Sequence, residues 1–252
     1  MRACVSPTSE VRDDLGIAHP GPVRRVVSLV PSLTEAVAVT ASGLLVGATN
    51  WCSQPTLPAV TRIGGTKNPD LAEVVALGPD LVLANSEENR AADLDALRAA
   101  GLAVWVTCPQ TVPEALDSLG RLLAGCDLDR PGWLDEAARV WAPASTAPRR
   151  RAVVPIWHKP WMALGRDTFA GDVLARLGVD NVLSGDPDRY PRISPATVPA
   201  YDVVVLPDEP YAFTGSEWPA PAAVRCVSGR HLTWYGPSLV EARTLLEWQL
   251  RV

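Results

Sequence analysis

Nothing at the start of this sequence reads as an export signal. Residues 1–23, MRACVSPTSEVRDDLGIAHPGPV, hold Glu10, Asp13, Asp14 and three prolines, with no apolar run of signal-peptide length. Cys4 has nothing apolar before it, so lipidation there is not expected. No stretch approaches the ~20 apolar residues that cross a bilayer. These absences predict a cytoplasmic protein with a flexible leader up to Val23.

Other absences exclude chemistry. Cys4, Cys52, Cys108, Cys126 and Cys226 are odd in number and contain no C-x-x-C pair, so neither a disulfide framework nor a thiolate zinc site is indicated. Besides His19 in the leader, the histidines are His158 and His231, too few and too far apart for a dedicated metal site. No protein-held metal and no required cofactor are expected. No G-x-G-x-x-G, Walker or G-x-S-x-G motif occurs, and Gly64–Gly65 reads as a turn. Cys52 beside Trp51 reads as a half-buried thiol rather than a nucleophile. Basic residues run together only at Arg149–Arg151, and the net charge is −5, so nucleic acid is not an expected partner.

What remains is a chain of 252 residues, 47% hydrophobic and 20% charged, able to bury a large core. RRVVSLV (24–30), LLVGAT (44–49), TRIGG (61–65), DLVLA (80–84) and LAVWVT (102–107) read as strands. Between them the spacing predicts helices: one opened by a Ser32/Glu35 capping box, one from Pro69 with Asn68 as cap, and one from Glu87 to Ala100. Thr111 and Glu114 cap a further helix ending near Gly125, and PGWLDEAARVWA (131–142) is helical. A proline-rich, charged seam, PASTAPRRR (143–151), precedes a second series: RAVVPIW (151–157), a helix over 168–177, DVVVLP (202–207), VRCVS (224–228) and a final helix over 237–250. VVALGPDLVLANSEEN (74–89) and TVPAYDVVVLPDEPY (197–211) echo one another as helix end, strand and acidic turn. The fold class is α/β. Two Rossmann-like lobes with parallel sheets, 24–126 and 150–252, are joined by one connecting helix within 127–149.

Open parallel sheets bind ligands beyond the carboxyl ends of their strands. On the first lobe that edge offers Ser32, Trp51, Lys67, Asn85, Glu87 and Glu88. On the second it offers Trp157, His158, Trp161, Arg166, Tyr190, Asp208, Glu209, Tyr211, Arg230, Trp234 and Tyr235. Of nine tryptophans, Trp51, Trp157, Trp161 and Trp234 fall at strand ends, as a large planar ligand requires. Glu87 and Glu88 serve equally as first-turn acids complementing a helix dipole. With His158, Asp208 and Glu209 they are also the acid–base candidates, should the chain be an enzyme.

The turns RVVSLVPSLTEAV (25–37), VGATNWCSQP (46–55), GGTKNPDLAEVVALGPDLVLANSEEN (64–89) and SGRHLTWYGPS (228–238) resemble the class III periplasmic binding proteins, or helical-backbone metal receptors, from Arg24 to the end. Within that family the chain is similar to the cobalamin receptors. The resemblance implies a ligand cleft between the lobes for a cobalamin-like or other metal-chelate molecule. It places Trp51 and Trp157 at two of the family's aromatic positions, while Thr66 and Lys67 stand where a third aromatic would be. Exported relatives dock on a membrane transporter through an acid on each lobe. Glu73 matches one, and Ala196 stands near the other, so no transporter partner is expected. The leading expectation is a cytoplasmic binder of a large aromatic or chelate ligand. The alternatives are a biosynthetic enzyme acting on an aromatic amine, and an exported transporter-linked receptor whose true start lies upstream.

Overall fold

The computed structural model describes residues 11–19, 21–146 and 148–251. The expectations for Cys4 and the first ten residues lie outside them. The chain forms two compact units. One gathers the described residues up to Cys108 with Asp117–Pro131, the other Pro109–Leu116 with the described residues from Gly132 onward.

The first unit follows the order β1 (Val26–Ser28), α1 (Pro31–Ala41), β2 (Leu45–Ala48), β3 (Thr61–Arg62), β4 (Gly64–Gly65), β5 (Asn68–Pro69), α2 (Leu71–Ala76), β6 (Leu81–Asn85), α3 (Ala91–Ala99) and β7 (Val104–Thr107). α4 (Val112–Gly125) follows, and its later turns complete this unit. Five strands make a parallel sheet in the order β3-β2-β1-β6-β7. Every residue of β1, β6 and β7 is buried, which is why these strands read as continuous apolar runs rather than alternating ones.

Three local expectations are corrected here. Ser32 does not cap α1. Pro31 takes the first helical position, where its missing N–H costs nothing, and Ser32 and Glu35 are buried inside the helix. α2 begins after Asp70, whose carboxylate accepts from Glu73 N at 3.0 Å, because Asn68–Pro69 are drawn into a short antiparallel ladder with Gly64–Gly65. α3 begins at Ala91, not Glu87. Asn85 Oδ1 accepts from Glu87 N at 2.8 Å and Glu88 N at 3.2 Å, so a side-chain-closed turn holds 85–89 out of the helix.

The described part of the leader is held, contrary to the expected flexibility. β7 is an edge strand, and its unpaired backbone groups need partners. Asp14 N donates to Val106 O at 3.1 Å. Val106 N donates to Asp13 Oδ2 at 3.1 Å, and Cys108 N to Asp14 Oδ2 at 2.7 Å. His19 packs on the buried Trp105 with ring centroids 5.0 Å apart.

The second unit contains α5 (Gly132–Trp141), β8 (Arg150–Val153), β9 (Pro155–Trp157), β10 (Met162–Ala163), α6 (Phe169–Arg176), β11 (Val179–Asn181), β12 (Val203–Pro207), β13 (Ala223–Val227), α7 (Gly229–Thr233) and α8 (Leu239–Gln249). β11-β8-β12-β13 form a parallel sheet. RAVVPIW is not one strand: after β8 the chain leaves the sheet, and β9 pairs antiparallel with β10, Met162 opposite Trp157. Pro155 cannot donate to a ladder, which suits the break. The echo between the two halves holds for the buried strands β6 and β12 and the acidic turns after them. No helix precedes β12 as one precedes β6. The helix expected over 168–177 forms as α6, with Thr168 as its cap rather than its first residue, accepting from Gly171 N at 3.2 Å.

Candidate functional site

At the carboxyl edge of the first unit, Trp51 is the most open of the large apolar side chains described, 68% exposed. Its turn is nevertheless rigidly held. Asn50 N donates to Gly64 O at 2.8 Å, and the Arg62 guanidinium donates to Thr49 O at 2.9 Å and Cys52 O at 2.8 Å. Beneath the turn, Thr34 Oγ1 donates to Cys52 Sγ at 3.0 Å. Burial pushes the Cys52 thiol pKa up, so it stays a protonated core group. Glu87 and Glu88 are half-buried in the Asn85 turn, and the Lys67 ammonium donates to the Glu87 carbonyl oxygen.

Two residues expected on this edge are interior instead. Asn85 is 5% exposed and its amide oxygen is taken up by the turn. Ser32 is 2% exposed, and its hydroxyl has no hydrogen-bond partner among the described residues.

The second unit's edge carries a connected aromatic cluster. Trp157 is 43% exposed and meets Tyr211 edge-on, centroids 5.6 Å apart. His158 lies over Trp161 at 4.3 Å and edge-on to Tyr211 at 5.9 Å. Trp161 stacks parallel on Phe213 at 6.0 Å and meets Trp218 at 5.3 Å. Trp218 Nε1 donates to Tyr201 Oη at 3.0 Å, satisfying the indole inside the cluster. Trp157 is the exposed member of this cluster, and His158, Trp161 and Tyr211 are half-buried. Phe213, Trp218 and Tyr201 were missed in the sequence. The density of aromatic residues in YAFTGSEW (211–218), shortly after β12, could have pointed to Phe213 and Trp218, whereas nothing local marks Tyr201.

Trp234 and Tyr235 do not stand at the edge. They are 7% and 4% exposed, because α7 intervenes between β13 and them. Arg230 lies over the Trp234 ring at 5.6 Å, and Tyr235 meets Phe169 at 5.6 Å. Arg166 pairs with Asp167 at 3.5 Å and lines a hollow of about 300 Å³ with Thr111, Thr168, Asp172 and Asn181, none of which belongs to the aromatic cluster. Tyr190 is exposed on a loop fastened to β10, where Gly165 N donates to Arg189 O at 2.8 Å and Ala163 N to Pro191 O at 3.0 Å.

The acidic turn after β12 is exposed, but its first carboxylate is fixed to the backbone of α7. Asp208 Oδ1 accepts from Gly229 N at 2.6 Å. Loss of hydration, reinforced by the neighbouring Asp208 charge, holds the Glu209 carboxyl above its ordinary pKa of 4.5, against a hydrogen bond from Trp234. A carboxyl pKa raised by folding favours the native state below the unfolded pKa, and that contribution is lost as pH rises through the folded value. Glu209→Gln is therefore expected to raise stability relative to wild type at pH 7, with the gain vanishing at pH 4 and below. Chemical denaturation at the two pH values measures it, and a variant no more stable at pH 7 would contradict the assignment. Among the described residues no group of three His, Cys, Asp or Glu side chains is placed to hold a metal ion. Among the described residues no helix is long and apolar enough to cross a membrane.

The two α/β units with parallel sheets have the fold of the class III periplasmic binding proteins, and the chain resembles the cobalamin-receptor kind in sequence as well as fold. A vitamin B12-binding protein of Vibrio parahaemolyticus is 26% identical over 184 residues, 69% of this chain and 66% of the relative's own length. The solved periplasmic vitamin B12-binding protein of Vibrio cholerae superposes with a TM-score of 0.73 at 20% identity, covering 92% of this chain and 98% of that one. A Helicobacter pylori protein solved with Ni(II) bound superposes at 0.80 with 13% identity, covering 96% and 88%. No protein-family model matches the chain.

Proposed function

We propose that this chain is a small-molecule binding protein whose ligand is a cobalamin-like compound or another large metal chelate. The observation that carries this reading is the exposure of Trp51, on the turn after β2, and of Trp157, at the end of β9, against the tendency of tryptophan to be buried. Glu87 and Glu88 beside Trp51, and His158 and Tyr211 beside Trp157, supply the polar groups that orient such a ligand. The names of the relatives support the ligand class, and they favour an exported receptor that delivers to a membrane transporter over the cytoplasmic binder expected from the sequence. One observation stands on the side of an enzyme: the raised pKa of Glu209. If Glu209→Gln abolished turnover of a bound substrate, that second reading would replace the first.

Two measurements test the proposal. Titration with cyanocobalamin and with haemin, followed by tryptophan fluorescence, should saturate for at least one of them; folded protein that binds neither overturns the ligand class. Fractionation of the host, followed with an antibody to the chain, should find the protein outside the cytoplasm or on the membrane. A purely cytoplasmic pool would return the reading to a handling or sensing protein.

A further inference from the structure

At the carboxyl end of β13 the structure joins three side chains that the ligand-binding reading does not use. Ser228 Oγ lies 2.7 Å from His231 Nδ1, and His231 Nε2 lies 3.0 Å from Glu241 Oε1. We propose that Ser228, His231 and Glu241 form a nucleophilic relay that gives this protein a hydrolytic activity toward small carboxylic esters, with Ser228 as the acyl acceptor.

The placement suits the chemistry. Ser228 follows a parallel strand directly and caps α7, a strand–turn–helix position that presents a hydroxyl at the sheet edge. The backbone around it is pinned on both sides: Ser228 N donates to Gln249 Oε1 at 3.0 Å, and Leu232 N donates to Ser228 O at 3.1 Å. Its Oγ is thereby held against the imidazole rather than free to rotate away, the preorganisation a nucleophile–base pair needs. Ser228 is half-buried, and His231 is 9% exposed.

The protons are consistent. For Nδ1 to accept from Ser228, the imidazole proton must reside on Nε2, facing Glu241. Hydrogen bonding from His231 holds the Glu241 carboxyl below its ordinary range, so a carboxylate is there to receive it. The other charges facing the ring are Arg230, whose Nη1 is 3.5 Å from Nε2, and Glu209, on whose carboxyl His231 acts electrostatically.

In the first step Ser228 Oγ bonds to the ester carbonyl carbon as its proton passes to His231 Nδ1. The tetrahedral adduct then expels the alcohol, which takes that proton. Water repeats the sequence: its proton goes to His231, its oxygen bonds to the acyl carbon, and Ser228 Oγ leaves and is reprotonated. Glu241 is a positioning residue, holding the tautomer and stabilising the imidazolium.

The test uses the full chain with a fluorophosphonate probe and p-nitrophenyl acetate. Peptide mass spectrometry is expected to find the phosphonyl adduct on Ser228, and Ser228→Ala to abolish both adduct and turnover. A general base contributes about 10²–10⁴-fold, so His231→Asn should slow labelling at least tenfold. Glu241→Gln, at an exposed carboxyl, keeps the fold and should lower the pKa read from the pH–rate profile. Failure to label Ser228 in folded protein overturns the proposal. So does a labelling rate unchanged by His231→Asn, or a pH profile unmoved by Glu241→Gln, because a hydrogen-bonded helix cap would behave in that way.

Discussion

Trp157→Ala is expected to weaken binding of the chelate ligand about tenfold or more, with Trp51→Ala similar. Stacking of an aromatic side chain on a base-sized ring contributes on the order of 1–3 kcal/mol, and 1.4 kcal/mol corresponds to a tenfold change in Kd. Trp157 touches Tyr211 only by an edge contact, so its ring face remains to be covered by ligand. Trp51 is more open still, and its turn is fixed by Arg62 and Gly64 rather than by the indole. Both variants should therefore retain stability within about 0.5 kcal/mol, as exposed substitutions usually do. Isothermal titration beside thermal denaturation separates the two effects. Unchanged affinity in both variants would sink the assignment of the two edges, and a large loss of stability would show that the rings serve the fold.

The second large effect is expected at a residue without a side chain. A Cβ on Gly229 would come within 2.6 Å of Glu209 N and Cβ and 2.9 Å of Glu209 Cα. Backbone cannot yield there cheaply, because β12 and β13 are in parallel register up to the pair Pro207–Val227 immediately before this contact. Gly229→Ala should cost about 1–3 kcal/mol by overpacking. It should also disturb the Gly229 N–Asp208 hydrogen bond that orders the acidic turn. Gly185→Ala is the matched control, since an added Cβ there meets nothing within 4 Å. Urea denaturation of the two variants measures the difference, and equal midpoints would contradict the close approach.

Sequence logic was strongest where a single physical constraint acts along the chain. DLVLA and DVVVLP are buried on both faces as β6 and β12, because a central parallel strand has no polar face to show. The helix expected over 168–177 forms as α6, whose first turn is closed by the Thr168 hydroxyl. The same logic failed where a residue had two possible partners. Ser32 was read as a cap, but Pro31 already served the first turn. Glu87 and Glu88 were read into a helix, but the Asn85 amide closed a turn around them first.

What the sequence determined by itself was the alternation of strands and helices, hence parallel sheets, and the ligand-facing edge that such sheets leave open. It also put Trp51 directly after β2, whereas Trp157 reaches its position through the separate ladder of β9 and β10. Only the tertiary structure decided which aromatics are wall and which are interior. Trp161 is stacked on Phe213, Trp234 is sealed beneath Arg230, and Phe213, Trp218 and Tyr201 join from loops whose spacing carries no periodic signal. The pairing of Ser228, His231 and Glu241 likewise depends on α7 packing against α8. The reason is common to all of these: a period along the chain reports which face of an element is buried. Contact between elements is set by how their faces meet, and no local pattern records that.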